Sequence, residues 1–138
     1  MSRILRNRNP EKVHLLTTRT IDAALWMIPS EEVNEIIGGV LARYQEIFGI
    51  VIYAYIFLSN HFHLLAKSPD GRLSEFMENV NREIARRINA HFGRKGRFWA
   101  TRYSDQVVPS ESDEIEALLY IVSNAARHGL VAKVSDWP

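Results

Sequence analysis

Two hydrophobic periodicities alternate along this chain and outline its secondary structure. Segments rich in β-branched and aromatic residues, a composition typical of strands, cover 13–20, 51–58, 61–67 and 98–108. Apolar residues recur at helical spacing in three other segments, which predict helices over 29–48, 73–92 and 110–128. The order is strand, helix, two strands, helix, strand, helix. It predicts an α+β domain of the split βαβ type, an antiparallel sheet with helices packed on one face.

Caps and turns support these boundaries. Pro29 and the acidic residues after it suit the first turn of a helix, and Gly49 suits its end. Ser110 is the predicted N-cap of the last helix, and Asp113 stands at its capping-box position. Ser59-Asn60 predicts a tight turn, so the second and third strands form a hairpin.

Length and composition narrow the class of protein. With 138 residues and no repeat or linker, the sequence predicts a single domain over 1–138, with 1–11 as a flexible arm. The absence of cysteine excludes thiol chemistry and Cys-ligated zinc, and it is compatible with the cytoplasm, the expected location. No apolar stretch follows the N-terminal arginines, so we expect no signal peptide. The apolar run 49–58 is too short to span a bilayer, and we expect no membrane partner.

Charge is segregated although its total is nearly balanced. Residues 72–102 contain eight basic and three acidic side chains, a net charge of +5, and residues 1–20 carry a net +4. Acidic residues gather instead in 31–35 and 111–116. This distribution suits a polyanionic partner on one side of the molecule. Solvated helix faces would explain it equally well.

The third predicted strand carries a pair of histidines around one large apolar residue. Successive side chains of a strand point to opposite faces, so His61 and His63 share one face and Phe62 points to the other. Two imidazoles on one face can reach one metal ion. The alternative is that both are polar residues on the exposed face of an antiparallel strand. The predicted topology leaves the sheet face that carries them open, and a flat polymer could lie there.

A tyrosine and an asparagine on the last predicted helix complete a possible site. Tyr120 and Asn124 are four residues apart and so lie on one helix face. If that face meets the histidines, the site combines imidazoles with oxygen ligands, a set that suits Mg²⁺ or Mn²⁺. A metal can polarise a phosphoryl oxygen, and a tyrosine can act as covalent nucleophile. The alternative for Tyr120 is a half-buried helix residue with its hydroxyl at the rim.

These motifs resemble those of a known family. Asn60–Leu65 resembles the His-hydrophobic-His motif of the single-tyrosine HUH transposases. Gly96–Trp99, Tyr120–Val131 and Val134–Pro138 resemble the REP-associated tyrosine transposase branch, and they occur in the same order. The resemblance implies a ferredoxin-like fold and cleavage and rejoining of single-stranded or hairpin DNA through a 5′-phosphotyrosine.

The resemblance also assigns roles to individual residues. It aligns Tyr120 with the nucleophile, His61 and His63 with the metal ligands, and Asn124 with a polar residue that completes the metal site. In related transposases the tyrosine helix can serve the site of a partner, so both a monomer and a homodimer are open. Ala125 stands where the family has proline. This departure supports an alternative, a catalytically inactive ferredoxin-like module that binds hairpin DNA or RNA.

Basic and aromatic residues are candidates for DNA contacts. Arg82, Arg86 and Arg87 on the second helix can hold phosphates, although solvated surface is an equal alternative. Arg97 and Trp99 complete the predicted DNA-binding set. Trp99 can stack an unpaired base, although core packing is the favoured role.

Overall fold

The elements form in the predicted order. The structure, a computed structural model, describes residues 12–127, with side chains described as far as Ser123. The strands are β1 (Val13–Arg19), β2 (Val51–Phe57), β3 (His61–Lys67) and β4 (Ser104–Val108), and the helices are α1 (Glu31–Phe48), α2 (Leu73–His91) and α3 (Glu111–Arg127). The predicted N-terminal arm and the residues after α3 lie outside the described part of the chain.

Local side-chain chemistry sets the helix ends. The Ser30 hydroxyl accepts a hydrogen bond from the Val33 backbone N–H at 3.1 Å and so caps α1. Gly49 ends α1 in the left-handed region with φ of 63°, a conformation that favours glycine. At the start of α3, the Asp113 backbone N–H donates to the Ser110 hydroxyl at 3.3 Å, as the predicted N-cap requires.

The fourth strand is shorter than predicted. Residues 98–103 are irregular and pair with the sheet at a single bridge between Thr20 and Trp99. Phe98 and Tyr103 are nonetheless buried in the main core. The aromatic residues that suggested a strand therefore serve side-chain packing, and regular pairing begins only at Ser104.

The sheet has the strand order β2-β3-β1-β4, and every neighbouring pair is antiparallel. This order and the helix connections make the fold ferredoxin-like, which confirms the predicted class. β3 and β1 occupy the two central positions. They are therefore the strands whose register is fixed by pairing on both sides.

One sheet face carries the larger core. Side chains of β1 and β3 meet the apolar faces of α1 and α2 there, as predicted from the helical spacing. Phe62 lies at the centre with no exposed surface, and its ring stacks on Phe57 with centroids 4.4 Å apart. This face therefore determines how β3 is oriented.

The opposite sheet face, which the predicted packing of helices on one face left open, is partly covered. α3 packs there through Ile121 and Ala117 on a smaller apolar cluster. The sheet residues of that cluster are Val13, Ile56, Leu58, Leu65 and Val108. Helices thus lie on both sides of the sheet, with α1 and α2 on one face and α3 on the other. Within residues 12–127, no helix has the length and apolar character that crossing a membrane requires.

We expect Phe62→Ala to lower the free energy of unfolding by about 3–5 kcal/mol, because it leaves a cavity in the larger core. Phe92 is the matched control, since its side chain is 55% exposed, and Phe92→Ala should cost less than about 1 kcal/mol. Urea denaturation of both variants measures the difference. Equal losses would show that Phe62 is not the centre of the core.

Candidate active site

β3 presents both histidines on the face that α3 covers. Phe62 points to the larger core, so His61 and His63 point the other way, as predicted from strand alternation. Their ring centroids are 5.1 Å apart and the ring planes are nearly perpendicular, at 86°. The two imidazoles are thus close enough to act on one ligand.

His63 is buried and held by the neighbouring strand. It lies opposite Thr17 of β1, whose hydroxyl is 2.9 Å from His63 Nδ1. Burial, followed by the positive charge of Arg19, lowers the pKa of His63 from 6.5 to about 4. The imidazole is therefore neutral at pH 7, the form in which histidine binds metal ions.

His61 is fixed by the residue before it. Its Nδ1 atom lies 2.8 Å from Asn60 Oδ1, while Asn60 Nδ2 donates to the Ala23 carbonyl at 3.4 Å. An amide oxygen only accepts hydrogen bonds, so Nδ1 of His61 is the donor. In the neutral ring, the lone pair then belongs to Nε2. A metal held by His61 would therefore bind through Nε2.

The hairpin turn before His61 is tied to the connection between β1 and α1. The Met27 N–H donates to the Ser59 carbonyl, and the Thr20 N–H donates to the Asn60 carbonyl, each at 2.9 Å. The Thr20 hydroxyl also donates to that Asn60 carbonyl, at 3.1 Å. The Thr20–Asn60 bond continues the antiparallel register of β1 and β3 by one residue, and the Met27–Ser59 bond adds a contact from outside the strands.

α3 brings Tyr120 to the same place. The Tyr120 ring meets His63 edge-on, with centroids 5.4 Å apart, and the tyrosine is 46% exposed. The predicted meeting of the tyrosine face with the histidines therefore occurs within one chain. A half-exposed phenol beside two imidazoles can be reached by a polymer from outside.

The third predicted metal ligand, Asn124, is described by its backbone alone. Asn124 lies one turn after Tyr120 in α3, but its side chain is outside the described side chains. The helix continues through Ala125 without the break that proline would give. In the described part of the chain, no group of three or more His, Cys, Asp or Glu residues gathers that could hold a metal ion.

The three arginines predicted on the second helix lie on the far side of the sheet. α2 packs on the face opposite the histidines. Arg86 and Arg87 both bind the Glu83 carboxylate, at 2.9 and 3.2 Å, and Arg82 donates to Asn79. Their side chains are thus distant from the histidines, and two of them share one counter-charge.

Trp99 and Arg97 stabilise the segment before β4. The Trp99 indole N–H donates to the Asn81 carbonyl at 2.8 Å, and its ring packs edge-on against Phe62 with centroids 5.6 Å apart. Trp99 thus has the core role favoured from sequence. Arg97 is exposed, and its guanidinium donates to the carbonyls of Trp99 and Ala100. Contact of either residue with DNA stays a prediction.

Two residues of the site were not predicted from sequence. Thr17 and Arg19 lie on β1, opposite His63 and His61 respectively. Their two-residue spacing places them on one strand face, which is a detectable signal. That signal becomes informative only with the register between β1 and β3, which sequence periodicity does not give.

Comparison with known proteins identifies the family. The family model described as "Transposase IS200 like" matches residues 9–124. The chain belongs to this family. Curated relatives of the IS200-like chain confirm the resemblance to the REP-associated branch.

Two of those relatives show how far the similarity extends. The REP-associated tyrosine transposase of Escherichia coli K12 is 30% identical over 87 residues, covering 63% of this chain and 51% of the relative. A putative REP-associated tyrosine transposase of Haemophilus influenzae is 26% identical over 96 residues, covering 62% and 54%. The IS200-like chain therefore spans about half the length of the curated relatives it matches.

Solved structures confirm the fold. A REP-associated tyrosine transposase bound to a REP hairpin superposes with a TM-score of 0.74 at 20% identity, covering all of this chain and 81% of that one. A putative transposase from Deinococcus radiodurans gives a TM-score of 0.56 at 19% identity, covering 86% and 95%. At these identities the likeness concerns the fold of the IS200-like chain.

The low pKa of His63 predicts a loss of stability in acid. Above pH 6.5 the residue is neutral in both states, whereas between pH 6.5 and about 4 only the unfolded state takes up its proton. The free energy of unfolding should fall across this window by up to about 3 kcal/mol.

Urea denaturation at several pH values measures this loss. The difference between wild type and His63→Gln should shrink as the pH falls through this window. Exposed His91→Gln is the control and should follow the wild-type curve. If the His63→Gln and wild-type curves run parallel, burial does not hold His63 in its neutral form.

Proposed function

We propose that this chain cleaves and rejoins single-stranded DNA as a transposase, with Tyr120 as the covalent nucleophile. One observation carries the proposal: the phenol of α3 lies against buried His63, beside His61, within one chain. Membership of the IS200-like family supports it. The same fold occurs in a transposase solved with a REP hairpin, and this supports hairpin-forming DNA as the partner.

Tyr120 is suited to the first displacement because its ring is accessible and its helix holds it at the site. Its phenolic oxygen attacks phosphorus and loses its proton, and the bond from phosphorus to the 3′-oxygen breaks. That oxygen takes up a proton to become a 3′-hydroxyl, while the 5′-phosphate stays on Tyr120. A 3′-hydroxyl of a second strand then attacks the phosphotyrosine and reverses the step.

His61 and His63 are the proposed metal ligands, with Asn124 as the third. The two rings fit a divalent ion, Mg²⁺ or Mn²⁺, because they share one strand face and because burial keeps His63 neutral. When bound, such an ion would supply polarisation of a phosphoryl oxygen and stabilisation of charge on the leaving oxygen. Thr17 holds the His63 ring through a hydrogen bond to its Nδ1 atom, and Asn60 holds the His61 ring in the same way.

The proposed assembly follows from where the tyrosine lies. Tyr120 meets His63 of its own chain, which supports a site complete in a monomer. A homodimer that exchanges α3 is the alternative. Because DNA is the proposed substrate, the cytoplasm is the proposed location.

Among the predicted DNA contacts, Arg97 and Trp99 lie beside the end of β1, whereas the α2 arginines require DNA that extends to the far side.

Tyr120→Phe should lower the yield of covalent protein–DNA adducts by at least about a thousandfold, because it removes the attacking oxygen. DNA binding should stay within about twofold, since the ring is retained. Labelled hairpin DNA is incubated with Mn²⁺ and separated on a denaturing gel, with binding measured in parallel. Tyr53→Phe, at another half-exposed tyrosine, is the control and should keep its adducts.

Adducts that persist in Tyr120→Phe would refute the nucleophile assignment. A wild-type protein that binds the hairpin tightly but forms no adduct would instead favour the inactive binding module.

His61→Ala should abolish metal-dependent cleavage. Replacing a partner of a metal ligand typically costs about 10–100-fold, and removing the ligand itself should cost more. The cleavage rate is measured against Mn²⁺ concentration, with His91→Ala as the control at an exposed histidine of α2. Cleavage that continues unchanged in excess chelator would contradict the metal role.

A further inference from the structure

Arg19 is a basic residue on the histidine face of the sheet. It ends β1 and lies directly opposite His61 in the ladder between β1 and β3. Paired residues of an antiparallel ladder point to the same side, and Thr17, two residues earlier, contacts His63. The exposed side chain of Arg19 therefore extends from the face that carries the histidines and Tyr120.

The charge of Arg19 is not balanced by a carboxylate within the described residues. The ion pairs described there are His14–Asp105, Arg72–Glu75, Arg86–Glu83 and Arg87–Glu83. Arg19 thus differs from the paired arginines on α2. A guanidinium without an acidic partner presents its planar fork of donors to an oxyanion, and phosphate accepts such a fork through two oxygens.

The backbone around Arg19 is fixed on both sides. Its carbonyl accepts a hydrogen bond from the Ala100 N–H at 2.8 Å, and the next residue, Thr20, donates to the Asn60 carbonyl at 2.9 Å. The first bond joins it to the segment before β4, and the second joins it to the residue before His61. Arg19 is therefore held at a constant position relative to the histidine strand.

We propose that Arg19 binds the DNA backbone at the active site, its guanidinium holding a phosphodiester that lies across His61 and His63. This assignment rests on the proposed function, because it takes the histidines as the place where the strand is cut. The sequence offered the α2 arginines and Arg97 as candidate contacts, and this assignment adds one at the end of β1. The ligand class is single-stranded DNA, recognised through its charge and not through its bases.

The test is DNA binding by Arg19→Gln and Arg19→Lys in a Tyr120→Phe background, where cleavage does not interfere. Affinity for a labelled hairpin with a single-stranded flank is measured over a series of salt concentrations. Arg19→Gln should weaken binding about 10- to 100-fold at low salt, since it removes a charge-assisted contact. It should also reduce the slope of log affinity against log salt by about 0.7, the value for one phosphate contact on a single strand.

Arg19→Lys separates charge from shape. It should restore the salt slope but only part of the affinity, because an ammonium keeps the charge and lacks the two-pronged geometry. Arg43→Gln is the matched control, since it removes an exposed arginine from α1 on the other side of the sheet. It should leave affinity and slope unchanged. Urea denaturation checks that each variant is folded.

An Arg19→Gln variant with wild-type affinity and slope would overturn the assignment. So would a salt slope that Arg19→Lys fails to restore, because the loss would then be structural. Failure of the proposed chemistry would give a different result from failure of the Arg19 assignment. The protein with Tyr120 intact would bind the hairpin but form no covalent protein–DNA adduct in the presence of Mn²⁺. The Arg19 assignment would then be decided by the salt slope alone.

Discussion

The burial of Phe62 is the constraint on which the candidate site depends. A strand residue that fills the centre of the larger core leaves its two neighbours no choice of face. His61 and His63 are consequently directed away from α1 and α2 and toward α3. The packing that stabilises the fold thus also orients the proposed ligands.

Strand pairing adds the second half of the arrangement. β1 is bonded on both sides, and its register with β3 places a hydroxyl against one imidazole and a guanidinium opposite the other. A slip of one residue would exchange the faces of the whole strand and bury Arg19 in the apolar core. The polar groups at the site are therefore protected from misalignment by the cost of burying charge on the other face.

Sequence periodicity predicted what depends on neighbours along the chain. The order of strands and helices along the chain, the shared face of the histidines and the cap at Ser110 all follow from local spacing, and the structure agrees with them. The sequence did not decide on which side of the sheet Arg86 lies. A helical pattern shows which face of a helix is polar, but it does not show which sheet face the helix packs on. Trp99 was ambiguous for a related reason, since an aromatic residue suits both a core and a base, and only its contacts with Phe62 and Asn81 show how it packs.

The turn at Ser59-Asn60 has a consequence for how this fold can diverge. Hairpin turns at the surface usually accept inserted residues, because their backbone groups face water. Here both carbonyls of the turn are hydrogen-bonded to the connection between β1 and α1. An insertion would break those bonds and carry the histidines out of step with the strand beside them. Variation in loop length within such sheets should therefore concentrate elsewhere, and the distance from this turn to the first histidine should stay constant.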